Sequence, residues 1–139
     1  MTGEQARTRF AAARVARLAT VDAHGRPHLV PVVFAVVGAT IYSAVDAKPK
    51  RTTALRRLAN VAANPHVALL VDHYSDDWDA LWWVRADGVG RVLDAALPEA
   101  RAGLARLAER YPQYMRRPPA GPVLAVDVTR WSGWSAAGD

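Results

Sequence analysis

The segment Asp46-Ala47-Lys48-Pro49-Lys50-Arg51-Thr52-Thr53 holds both lysines of the chain, beside a third cation, immediately before a stretch of helical periodicity. The first amide groups of a helix lack intrahelical acceptors and point out of its end. The helix dipole favours negative charge there by about 0.3–1 kcal/mol. Lys48, Lys50 and Arg51 would add charge-assisted hydrogen bonds to phosphate oxygens, and the threonine hydroxyls would add further donors. Cations at that end oppose the dipole unless an anion joins them. The chemistry expected is anion binding, with the anion supplied by a ligand or by an acidic side chain elsewhere; the plainer alternative is a solvated loop.

The five tryptophans form two groups, Trp78, Trp82 and Trp83, then Trp131 and Trp134. Trp82 and Trp83 are adjacent, so on a strand they point to opposite faces, and both faces are expected to be covered. Such rings stack on a planar heterocycle, fill an interface between copies, or pack in a core. Asp72, His73, Asp76, Asp77 and Asp79 are metal-ligand types without the spacing of an EF-hand loop or a His-x-x-x-His pair, so they read as a solvated turn and no metal is expected. His24 and His28 flank a turn and read as surface residues. No Gly-x-Ser-x-Gly elbow, Walker A loop or Gly-x-Gly-x-x-Gly fingerprint occurs, and the sequence identifies no catalytic acid or base.

The elements that must position these residues follow from periodicity and turn chemistry. Residues 2–13 read as a short helix, with Thr2 and Gln5 spaced for a capping box and Ala6, Phe10 and Ala13 on one face. Residues 15–21 and the β-branched run 28–37 form a hairpin about Asp22-Ala23-His24-Gly25, and residues 41–45 complete a three-stranded meander. Pro31 cannot donate to a ladder. It marks an edge, a bulge or a place where something other than a strand lies alongside. Leu55, Leu58, Ala59 and Ala62 predict a helix over 52–63, stopped by Asn64-Pro65. Strands follow at 66–74 and 81–93, the second bent or bulged at Gly88 and Gly90. A third helix starts at Pro98, a proline-rich loop spans 111–122, and a last strand spans 123–131. About six strands in meanders, with only two helical connections, predict a mostly β fold: an antiparallel barrel with peripheral helices.

At 139 residues the chain is expected to be one domain, residues 1–139, large enough to bury about two-thirds of its unfolded surface. It has no cysteine, which excludes disulfides, thiolate zinc sites, cysteine-ligated iron–sulfur clusters and a cysteine nucleophile. The net charge of +5 suggests an anionic partner. Yet 16 of the 18 basic residues are arginines, a bias that GC-rich coding produces, and they are spread over the expected helices without one basic stripe. Nucleic acid is not the expected partner. No run approaches the roughly 18 apolar residues of a membrane span, and the first residues lack a signal-type apolar core, so a cytoplasmic location without membrane association is expected.

Taken in order, Arg-Val-Ala-Arg-Leu-Ala-Thr-Val (14–21), Gly25-Arg26-Pro27-His28-Leu29-Val30-Pro31-Val32, Ile41-Tyr42-Ser43, Lys48 to Arg51, Asn64-Pro65-His66-Val67, Leu70-Val71-Asp72-His73-Tyr74, and Asp77-Trp78 through Trp82-Trp83-Val84-Arg85 resemble the split β-barrel flavin and deazaflavin oxidoreductases. That superfamily includes pyridoxamine 5′-phosphate oxidase. The Asp-Trp and Trp-Trp-Val-Arg elements look most like its actinobacterial branch of coenzyme F420-dependent enzymes. The resemblance implies a six-stranded antiparallel split β-barrel of the FMN-binding-protein type, a homodimer, and two cofactor sites at the subunit interface. It places Lys50 and Arg51, with Lys48 nearby, on the cofactor's phosphate, in agreement with the helix-terminus argument. The backbone of Val30, Pro31, Val32 and Val33 would run beside the tricyclic ring. Tyr42 and Ser43 would approach the ribityl–phosphate chain, Trp83 would meet the ring across the interface, and Trp131 resembles an aromatic contact of the oxidase. Two departures stand out: the helix after Arg51 is longer than in the pyridoxamine phosphate oxidases, and no C-terminal Arg-x-His pair occurs.

The function this implies is an F420-dependent reductase, in which the reduced deazaflavin passes a hydride to an electron-poor small-molecule substrate and the proton comes from solvent or from a side chain the sequence does not define. The same cleft could serve FMN in an oxidase or flavin reductase. A third reading is non-catalytic, a protein that binds or carries a cofactor.

Overall fold

The computed structural model describes residues 1–45 and 52–138. Helix α1 (Gly3–Ala12) opens with the expected capping box: the Gln5 amide donates to Thr2 Oγ1 at 3.1 Å and the Thr2 amide to Gln5 Oε1 at 2.7 Å. Strands β1 (Ala16–Val21) and β2 (Pro27–Val32) make the expected hairpin. Its turn is held by Asp22 Oδ1, which accepts from the amides of His24 and Arg26, and Gly25 takes the positive φ of 79° that a side chain resists.

The run 28–37 is not one strand, which corrects the expected meander and raises the strand count from six to seven among the described residues. The chain leaves β2 at Val32, and after Val33-Phe34 begins β3 (Ala35–Val37), which pairs with β4 (Thr40–Ala44) instead. Helix α2 (Thr52–Ala63) and strand β5 (His66–His73) follow as expected; a 3-10 turn (Trp78–Ala80) then leads into β6 (Trp82–Leu93). After α3 (Pro98–Arg110), residues expected to be loop form a short helix α4 (Pro112–Arg116), and β7 (Val123–Ser135) runs four residues further than expected.

All seven strands form one antiparallel sheet in the order β2-β1-β5-β6-β7-β4-β3. Its two edges, β2 and β3, are consecutive in the chain and joined by only two residues. A flat sheet cannot meet that constraint, so this one curls until its edges approach, leaving a split between them. Gly88 supports the curl at the register shift in β6, where a Cβ would stand 2.5 Å from the Asp127 carbonyl oxygen.

The inner face carries the main core, with Leu18, Val32, Phe34, Ile41, Leu69, Val84 and Leu124 all buried. Helix α1 plugs one end: Phe10 lies 4.8 Å from the Phe34 ring and 5.3 Å from Trp131. Leu58 and Val61 of α2 close against the same core. Helix α3 packs outside, over Tyr42, Leu93, Val123 and Ala125.

Candidate functional site

Pro31 lies on an edge strand, one of the three placements expected for it. Among the described residues β2 pairs only with β1, so its other side presents backbone groups to whatever lies beside the sheet. Along it Val30 and Val32 turn inward to the core, Pro31 is exposed, and Val33 packs towards α3 and α4. The corner after Val33 is pinned by two residues at the end of α3, Arg110 and Tyr111. Arg110 donates through Nη1 to the Phe34 carbonyl at 2.7 Å and through Nη2 to the Ala13 carbonyl. The Tyr111 hydroxyl lies 2.9 Å from the Arg14 carbonyl oxygen and accepts from the Phe34 amide at 3.3 Å. These bonds fix where the edge strand ends, and so the shape of the split.

The outward face of β2, β1, β5, β6 and β7 is the second feature. Register aligns Pro31, Arg17, Leu70, Arg85 and Ser132 in one row, and Asp72, Trp83 and Trp134 in the next. Leu29 is 67% exposed, Leu70 37% and Trp134 47%, with Trp83 half-buried among them beneath the Arg85 guanidinium at 5.8 Å. Isolated exposed apolar side chains are ordinary, but Leu70, Trp83 and Trp134 stand on the adjacent strands β5, β6 and β7, and a group of that kind marks a face that another surface covers.

The expected site residues do not gather in one place within a single chain. Trp83 is on the outward face, whereas Trp131 faces inward against Phe10. Ser43 is buried. Tyr42 is buried beneath Gly103 of α3 and donates its hydroxyl to Glu99 Oε2 at 2.9 Å. Lys48, Lys50 and Arg51 lie outside the described residues. Among the described residues no group of three His, Asp or Glu side chains could hold a metal ion, and no helix is long and apolar enough to cross a membrane.

Tyr42 thereby joins a charged network absent from the sequence reading. Arg91 forks onto both Glu99 oxygens at 3.0 and 2.8 Å, and reaches Asp127 at 2.7 and 3.1 Å, with Thr40 also donating to Asp127. The hydrogen bonds from Arg91 and then Tyr42 hold the Glu99 carboxyl down at about 2, from an ordinary 4.5. A carboxylate with a depressed pKa stabilises the fold above its ordinary range and loses that contribution as pH falls through its folded value. Stability is thus expected to fall between about pH 5 and about pH 2. Both side chains of the Arg91–Glu99 pair keep 38% of their surface in water, so screening limits its worth. Arg91→Met should cost about 1 kcal/mol at neutral pH and flatten the acid slope, read as urea midpoints across that range.

With this geometry in view, the family model described as pyridoxamine 5′-phosphate oxidase matches residues 2–135. The chain belongs to the pyridoxamine 5′-phosphate oxidase family. No curated protein matches it. Solved structures extend the family likeness at the level of fold. A conserved hypothetical protein from Mycobacterium tuberculosis is 22% identical, with a TM-score of 0.78 over 99% of this chain and 86% of its own. A FAD-binding protein from Mesorhizobium loti is 21% identical, with a TM-score of 0.75 over 96% and 92%. HutZ, a heme storage protein from Vibrio cholerae, is 17% identical, with a TM-score of 0.73 over 97% and 95%. Chains of similar fold thus include one described as FAD-binding and one described as a heme storage protein.

Proposed function

We propose that this protein is a homodimeric oxidoreductase of the pyridoxamine 5′-phosphate oxidase family that uses reduced coenzyme F420 to reduce an electron-poor small molecule. The observation that carries the reading is the pairing of an open edge strand, Pro27–Val32, with an outward sheet face bearing Leu29, Leu70, Trp83 and Trp134. A second copy laid on that face would cover its apolar residues and bring indole rings towards the split. Those residues fit a flat, polycyclic ring: the edge backbone can hydrogen-bond its rim, and aromatic and aliphatic side chains can cover its faces.

The bound cofactor supplies hydride transfer. The chain's own residues bind and orient it. Val30 to Val32 run along the edge, with Val33 at its corner, and Lys48, Lys50 and Arg51 would supply cations to its phosphate. Arg110 and Tyr111 keep the edge in position, and the covered face excludes water.

Titrating purified protein with F420 and with FMN, by fluorescence, tests the reading; micromolar FMN binding without F420 binding would overturn it. Lys50→Ala is expected to weaken cofactor binding by about 1.5–3 kcal/mol, the worth of a hydrogen bond to a charged group, and an unchanged Kd would remove Lys50 from the site. A second reading, an FMN-dependent oxidase or flavin reductase, is favoured by the FAD-binding relative in fold. A third, a carrier without turnover, is favoured by the heme storage protein. A yellow preparation would select the second and bound heme the third, each without F420-dependent activity.

A further inference from the structure

At the end of β2 far from the Val33 corner, the β1–β2 hairpin tip and α2 enclose a cleft of about 280 Å³, lined by Asp22, Arg26, Pro27, His28, Arg56 and Asn60. Its floor is fixed, because the buried Asn60 Nδ2 donates to Thr20 Oγ1 at 3.0 Å and locks α2 to β1. Its walls are cationic. Arg26 and Arg56 come from different elements, and neither pairs with a carboxylate among the described residues. His28, half-buried, lines the cleft beside them. The one opposing charge, Asp22, already accepts two turn amides through Oδ1. With two arginines against one aspartate, the lining keeps a net positive charge. The cleft continues along α2 into a wider groove where Ala23, Leu55, Ala59 and Ala63 make an apolar wall, with Leu55 52% exposed and His24 at the rim.

We propose that this cleft is an oxyanion-binding site: Arg26, Arg56 and His28 hold the phosphate or carboxylate of a small ligand whose apolar part lies along Leu55 and Ala59. Two guanidinium groups and an imidazole suit two or three oxygens of one anionic group, and a neighbouring apolar wall suits an organic ester better than a bare ion.

The test is a titration of the full-length protein at low salt, followed by NMR of the arginine Nε–H and histidine ring signals, with inorganic phosphate in one arm and phenyl phosphate in the other. Saturable shifts confined to Arg26, Arg56 and His28 are expected, with phenyl phosphate about ten-fold tighter because its ring leaves water. Arg56→Gln, an exposed change that leaves the Thr20–Asn60 lock intact, should weaken both about ten-fold. Leu55→Ser should remove only the advantage of the phenyl ester. Equal affinities for the two probes would identify the ligand as a free inorganic anion and overturn the apolar half of the proposal. Shifts spread equally over Arg101 and Arg106 of α3, or unchanged affinity in Arg56→Gln, would overturn the site. Lys50→Ala is expected to leave these shifts in place; their loss in that variant would assign the anion to the 48–51 loop. A negative result at the cleft leaves F420 binding untouched, so the two readings fail separately.

Discussion

Leu70→Arg is expected to convert the proposed dimer to monomer, seen as a halving of the sedimenting mass at micromolar concentration. Leu70 sits at the centre of the outward face, between Arg17 and Arg85 in the register, and is 37% exposed in the single chain. A third guanidinium in that row remains hydrated in the monomer, so folding should change little. In a two-fold interface the same three charges meet their own copies with water excluded. An unpaired buried charge costs about 3–5 kcal/mol, and each of the two copies would bury one, enough to weaken association by more than about 100-fold. Cofactor affinity should fall with it, since each site would lack its second wall. A wild-type protein that sediments as a monomer at about 10⁻⁴ M would refute the interface itself.

Phe34→Ala carries the largest expected loss of stability. Phe34 is fully buried at the corner where the chain crosses from one sheet edge to the other, with the Phe10 ring at 4.8 Å and the Arg110 guanidinium over its face at 5.1 Å. Removing a buried phenyl ring costs about 3–5 kcal/mol through lost transfer energy and the cavity left behind. That is a large share of a domain stability of about 5–15 kcal/mol. The urea midpoint should drop accordingly. The loss should also loosen the β2 edge, so F420 affinity measured below the transition should fall. A change under about 1 kcal/mol would show that Arg110 and Tyr111 alone hold the corner.

Much of the fold was readable because local chemistry set it. The Thr2–Gln5 spacing located α1, Asp22 and Gly25 located the hairpin turn, and Asn64-Pro65 located the end of α2. The split was not readable. Residues 28–37 are apolar or β-branched almost throughout, and nothing in that periodicity marks a change of sheet edge at Val33-Phe34, which is decided by Arg110 and Tyr111 more than 70 residues away. Helix α4 was hidden by the prolines in and after it, although Pro112 stands at a helix start, where its missing amide costs nothing. For the site, the missing donor of Pro31 narrowed its place to three, of which the structure shows an edge strand. The engagement of Tyr42 by Glu99 was not, since the two are 57 residues apart and neither position carries a local signal.

The strand order has a consequence for how the chain reaches this state. Strand β4 pairs with β3 beside it in sequence, but on its other side only with β7, whose residues begin at Val123. Strand β6 likewise waits for β7 along its whole length. During synthesis, therefore, the first hundred residues can form the β1–β2 hairpin and the β5–β6 pair but cannot close the sheet. Closure must follow emergence of the final strand from the ribosome. Long-range pairing of this kind makes folding slow relative to helical chains of the same size and leaves the β4 and β6 edges exposed while the chain is incomplete.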